Sequence, residues 1–403
     1  MRKALLAICA AASLLAAASA APAADEQWLQ YKITGDQPQN QQEDRWYKEL
    51  RLSETAPADV AMPRFDGDMQ LFTRWETPFV KDGFLWVALD GSKEKGAVDC
   101  AYIDTNCDGS LADEAPIKVS DEGCGCIGPV KIVFSTDDGP MTYHLLLVHQ
   151  SQRQGALEDG VSQTVHALYA FSGCYYEGDV TVGGKKYKCD IYDYNANGTF
   201  NDTSMDPEDA DRIKLATDQL QRFYIPGKYL QAGGAFFHAE PARDGASISF
   251  SPVDSKSVPM GKVRVASTVK EIGIAGEMGL IYLDTSKGAA EAPAGEYVIH
   301  HWLSDRRDKS GVEWKITGRL FPRTAIFEVV AGEEAELDVG EPVTAELTTG
   351  KMSGQYWINS RLLGKMGETI KQALVNGGVV PIPTLTIANK AGTFTRDFKL
   401  EYG

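Results

Sequence analysis

Asp179-Val-Thr-Val-Gly183-Gly184-Lys185-Lys-Tyr-Lys-Cys189-Asp-Ile-Tyr-Asp193 is the stretch that decides the fold class. Apolar and polar residues alternate on both sides of Gly183-Gly184, the pattern of two half-buried strands. Paired glycines suit a two-residue turn of the primed type, which needs positive φ at both central positions. Side chains alternate along a strand, so Cys189, Ile191 and Asp193 share one face. The hairpin runs straight into Asp193-Tyr-Asn195-Ala-Asn197-Gly198-Thr199-Phe200-Asn-Asp202. The same pattern stands 89 residues earlier, as Asp104-Thr-Asn106-Cys-Asp108-Gly109-Ser110-Leu111-Ala-Asp113, after the run Val98 to Ile103. A cysteine lies four residues before each first Asp, Cys100 and Cys189, and this shared flank marks a duplicated unit.

Each copy sets carboxylate or amide oxygens at loop positions 1, 3 and 5, a glycine at 6, an apolar residue at 8 and an Asp at 10. Alternate oxygens of this kind converge on a hard cation, and the glycine permits the sharp turn. The loops resemble the D-x-D-x-D-G calcium loops of EF-hand, dockerin and related exported proteins. The resemblance implies two calcium sites. In loop one Asp104, Asn106 and Asp108 match the first ligand positions, Ser110 gives its carbonyl, and Asp113 or Glu114 closes the shell. In loop two the matches are Asp193, Asn195 and Asn197, with Thr199 by its carbonyl and Asp202 closing. Ala115 and Ser204 stand where an EF-hand has its bidentate glutamate, which favours a loop borne on a β-hairpin over a helix–loop–helix. Asp104, Asp108, Asp113 and Glu114 outnumber Asp193 and Asp202, so site one is the tighter and both ions read as structural. Asp, Asn and Gly are also ordinary turn residues, and metal-free turns are the alternative.

Arg2 and Lys3 precede an apolar run from Ala4 to Ala18 and the small residues Ala18-Ser19-Ala20, the layout of a secretory signal peptide over residues 1–20. Export to the periplasm, cell surface or medium is the expectation. Loss of Arg2 and Lys3 takes the formal charge from −16 to −18. That balance disfavours nucleic acid and suits a chain that gathers cations. No later run is long and apolar enough for a transmembrane helix. An envelope glycan or protein is the partner class left open.

Short alternating runs such as Phe84 to Leu89, Val130 to Phe134, Tyr143 to Val148, Val263 to Val265 and Tyr297 to His300 point to a mainly β chain of antiparallel sheets. Asp209 to Phe223 and Leu362 to Leu374 carry rough helical spacing and predict one or two short helices. The 403 residues divide into an arm or strand pair over 21–60, calcium-loop modules over 61–150 and 151–250, and β modules over 260–340 and 341–403. Pro293-Ala-Gly295-Glu-Tyr297-Val-Ile resembles the turn into a strand of Ig-like and prealbumin-like sandwiches, which implies a β-sandwich there.

Outside the leader six cysteines remain, Cys100, Cys107, Cys124, Cys126, Cys174 and Cys189, and an exported chain reads as disulfide-bonded. Self-stapled modules would pair Cys174 with Cys189 and give Cys100 and Cys107 one each of Cys124 and Cys126, because a Cys124–Cys126 ring is strained. A thiolate metal cluster around Cys124-Gly-Cys126 with Cys107 is the competing reading. No metalloprotease, serine-hydrolase, phosphate-loop or dinucleotide motif occurs, and His300-His301 on a strand would point to opposite faces. The leading reading is therefore a non-catalytic calcium-binding protein with a binding or scaffold role. The alternative is a secreted glycan-acting hydrolase, with acid pairs such as Glu76 and Asp82 or Glu240 and Asp244.

Overall fold

The computed structural model describes residues 25–35, 47–120, 124–137, 139–154, 163–217, 220–321, 326–352 and 355–400; the leader expected over 1–20 lies outside the described residues. The chain is mainly β, 59% strand, in several antiparallel sheets with no barrel. One 3-10 turn, Ser255–Ser257, is the only helical element among the described residues.

Both expected helices are strands. Arg212–Thr217 and Leu220–Tyr224 form a hairpin, with Ile213 paired to Tyr224 and Thr217 to Leu220. Ile213 and Leu215 are buried on one face, so period two wins over the rough helical spacing. Leu362 to Leu374 spans the end of Gln355–Leu363 and most of Thr369–Val375, joined through Gly364 and Gly367, whose φ of +83° makes the turn. The two glycines inside the supposed helix are the turn itself.

The deciding hairpin forms as read: Cys174–Val182 pairs with Lys185–Tyr192 about Gly183 and Gly184, at φ +58° and +79°. Cys189, Ile191 and Asp193 are all buried on its inner face. It lies at the centre of a five-stranded sheet ordered Leu220–Tyr224, Arg212–Thr217, Lys185–Tyr192, Cys174–Val182, Gln30–Ile33. Met69–Glu76, Phe84–Ser92, Ala97–Ile103 and Ile117–Lys118 make the meander that carries loop one. Cys126–Thr136, Gly139–Gln154 and Gln163–Ser172 form a third sheet with Lys48–Leu50 at its edge. Residues of the 21–60 segment thus enter as single added strands.

One cluster of buried side chains runs from Leu29 to Ile248 and holds loop two, through Trp75, Phe134, Tyr143, Ile191 and Phe200, while Cys107 of loop one packs at its border; Leu111 of loop one sits in a smaller cluster with Phe72, Ala88 and Tyr102. A second, from Tyr229 to Val339, centres on Trp302 and Tyr297. The segment 205–212 bridges them, since Ala210 packs with Ala275 and Leu280.

The cysteine pairing differs from expectation. Cys124 and Cys126 are joined to each other, while Cys100, Cys107, Cys174 and Cys189 are free. Register explains the second pair: Cys189 stands opposite Gly178, four residues along the strand from Cys174. That offset is about 13 Å of strand rise, beyond the roughly 7 Å a disulfide spans.

Candidate cation loops

The two loops share the backbone turn and the bonds from positions 1, 3 and 5 to loop amides. Cys107 and Ala196, at loop position 4, take φ of +62° and +54°, and Gly109 and Gly198 take +83° and +99°. Asp104 Oδ1 accepts from the Asp108 amide at 3.1 Å and Oδ2 from that of Gly109 at 3.0 Å. Asp193 repeats this with Asn197 at 3.2 Å and Gly198 at 2.7 Å. Asn106 and Asn195 each accept the amide at position 5, at 3.1 and 3.2 Å. Asp108 and Asn197 each accept the amide at position 7, at 2.8 Å. Leu111 and Phe200 at position 8 are fully buried and pin each loop to the core.

Oxygen-bearing groups gather at one point in each loop. Asp202 Oδ2 accepts from Asn195 Nδ2 at 3.1 Å, Asn197 Nδ2 at 2.7 Å and the Thr199 hydroxyl at 2.6 Å. In loop one Asn106 Nδ2 donates to Asp108 Oδ2 at 3.2 Å and Asp113 Oδ2 at 2.9 Å. The side-chain oxygens of Asn106, Asn195 and Asn197 already accept loop amides, so these asparagines hold the loop side chains together through both ends of the amide. The Ser110 hydroxyl instead accepts the Ala112 amide at 3.1 Å. Glu114 is turned back to the Thr105 amide at 2.5 Å and to the Thr105 hydroxyl at 2.8 Å, which places it as a buttress under the loop.

Loop two has a matching buttress that the sequence reading missed. Asp211, fully buried, accepts the Tyr194 amide at 3.0 Å and the Asp202 amide at 2.7 Å. Tyr194 and Thr105 both hold loop position 2, so Asp211 does for loop two what Glu114 does for loop one. The sole sequence signal was its place in the Asp209-Ala-Asp211 pair, inside the supposed helix.

Loop two is also tied into the first core. Trp75 Nε1 donates to the Ala196 carbonyl at 2.6 Å, and the Tyr143 hydroxyl donates to Asp193 Oδ2 at 2.7 Å. Burial raises the Asp193 carboxyl to about 7 and that of Asp211 well above the ordinary range; it raises Asp104 as well. Three carboxyl groups forced toward neutrality by burial are groups that a bound divalent charge would return to the ionised form. The donor set is oxygen alone, from Asp, Asn, Thr and Ser, which fits calcium or magnesium and not zinc or copper. Among the described residues no group of three or more His, Cys, Asp or Glu side chains meets at metal-binding geometry, the four acids of loop one included.

The remaining candidates sit elsewhere. Glu76 is paired with Lys48 at 2.5 Å, and that partner lowers its carboxyl, opposite to what a general acid needs. His300 and His301, expected on opposite faces, have their Nδ1 atoms 2.9 Å apart. A bulge explains it: Gly273 pairs with His301 and Ile274 with Ile299, leaving His300 as the extra residue. No helix among the described residues is long and apolar enough to cross a membrane. Compared with protein families, curated proteins and solved structures, the chain gives no significant match to any.

Proposed function

We propose that this chain is an exported, non-catalytic calcium-binding β protein in which two ions lock the loops at 104–114 and 193–202 and serve structure. The observation that carries this reading is the repeated hydrogen-bond pattern of the loops, down to the positive φ at position 4 and a buttressing carboxylate that accepts the amide of position 2. Two unrelated turns have no reason to share it. Asp104, Asn106, Asp108, Ser110 and Asp113 would hold the first ion, and Asp193, Asn195, Asn197, Thr199 and Asp202 the second. The larger carboxylate count of loop one makes it the tighter site. The ions would supply charge balance for the buried acids and fix where each hairpin enters its core. Strand-rich segments over 260–340 and 341–403 would be Ig-like or prealbumin-like modules that present a binding surface, with an envelope glycan or protein as partner.

The test is a calorimetric calcium titration of chelator-stripped protein. Wild type should show two sites, and Asp104→Ala and Asp193→Ala should each delete one. Wild type without calcium heat, or variants that keep both sites, would refute the reading.

A further inference from the structure

Cys124 and Cys126 sit where the Cys126–Thr136 strand enters its sheet, and their bridge, between residues two apart, is the only disulfide among the described residues. The entropy that a bridge takes from the unfolded chain grows with the loop it closes. This loop is close to the shortest possible, so the bridge does little to hold the fold. The backbone is fixed without it: the His149 amide donates to the Gly125 carbonyl at 2.9 Å and the Ser120 amide to that of Cys126 at 2.7 Å. Gly125 takes φ +68°, and a Cβ there would lie 2.0 Å from the His149 carbonyl oxygen, so only glycine fits between the two cysteines.

The two cysteines differ in access, Cys126 being fully buried and Cys124 half-buried. Register sets Cys126, Val148 and Tyr169 in one row across the sheet, and alternation puts Phe171 on the same face. Cys124, Tyr169 and Phe171 pack around Cys126, Leu146 and Val148. Tyr47, 42% exposed, packs on Tyr169 and Phe171 with ring centroids 4.8 and 5.8 Å apart. Cys107, the third thiol of the metal-cluster reading, packs against the first core instead, and no such cluster forms among the described residues.

We propose that Cys124–Cys126 is a thiol–disulfide exchange site that takes two electrons from a pair of cysteine thiols on an apolar peptide segment. A peptide thiolate attacks Cys124 Sγ, the Cys124–Cys126 bond breaks, and Cys126 leaves as a thiolate that takes up the proton. The second peptide thiolate then attacks the peptide sulfur of this mixed disulfide, which closes the peptide disulfide and releases Cys124 to be protonated. Two electrons and two protons pass from peptide to chain, once per chain. Attack falls on Cys124 because Cys126 is sealed, and exposed bridges are the ones that exchange. Tyr169, Phe171 and Tyr47 offer the peptide's apolar side chains a surface beside that sulfur. The assignment goes beyond the calcium reading and stands without it.

The probe is a reduced synthetic peptide with two cysteines flanking leucine and phenylalanine, added in excess to unreduced protein spanning residues 21–403. A second peptide carries serines between its cysteines. Alkylation and mass mapping should find one peptide disulfide per chain, new thiols at Cys124 and Cys126 alone, and the mixed disulfide of quenched samples on Cys124. The apolar peptide should react about tenfold faster than the serine peptide. Tyr169→Ser, and Tyr47→Ser at an exposed and therefore tolerant position, should each slow the apolar peptide about threefold or more and leave the serine peptide unchanged. A bridge left intact, a mixed disulfide on Cys126, equal rates for the two peptides, or unchanged rates in both variants overturns the proposal.

Discussion

Replacing Asp211 by alanine probes the loop-two buttress directly. The carboxylate is fully buried and accepts the amides of Tyr194 and Asp202, at 3.0 and 2.7 Å. Alanine leaves both donors without a partner, and no water enters a site this closed unless the loop opens. An orphaned buried donor costs about 1–3 kcal/mol, so the pair costs roughly 2–5 kcal/mol. For a cooperative unit of the size of the first core, each kcal/mol moves the midpoint by about 2–4 °C, and a fall of roughly 5–15 °C is expected. Glu114→Ala is the internal control. That residue is only partly buried, water can reach its partners, and about 1 kcal/mol is lost. The assay is scanning calorimetry in chelator, where no ion masks the effect. An Asp211→Ala midpoint within about 2 °C of wild type, or one no lower than that of Glu114→Ala, refutes the reading of Asp211 as a buried buttress of loop two.

Three further outcomes follow from the same geometry. Burial, with His166 stacked beside it, holds His149 down at about 4 against 6.5 for the free side chain. A depressed histidine adds stability that is whole above the unfolded value and is lost as pH falls from 6.5 through about 4, so His149→Leu should flatten the acid limb of a melt-versus-pH curve; an unaltered limb contradicts this. Gly273→Ala would set a Cβ 2.2 Å from the His301 ring, so about 1–3 kcal/mol of stability should be lost in denaturant melts. A thiol titration of unreduced, unfolded protein spanning residues 21–403 should count four thiols, with Cys174 and Cys189 unreactive until unfolding because both are buried; two or fewer would contradict the pairing.

The sequence carried what is local. Gly183-Gly184 needs nothing beyond its two residues to specify a primed turn, and alternation placed Cys189, Ile191 and Asp193 on the buried face. The loops were legible for the same reason, since positions 1, 3 and 5 bond to amides within five residues. What failed was non-local. Asp211 reaches its loop from nine positions beyond Asp202, and its neighbours Ile213 and Leu215 fit period two only once Lys185–Tyr192 is there to pair with them. His300 and His301 converge through a bulge set by the facing strand. Cysteine pairing depends on register, which spacing alone does not carry.

The central claim is that both loops are cation cages. Native mass spectrometry of the chain, freed of metal and then equilibrated with calcium, counts the ions directly. Two bound calcium ions per chain in wild type, and one in Asp193→Ala, is the outcome this account predicts. A chain that carries none, or a count of two that survives loss of both Asp104 and Asp193, contradicts it.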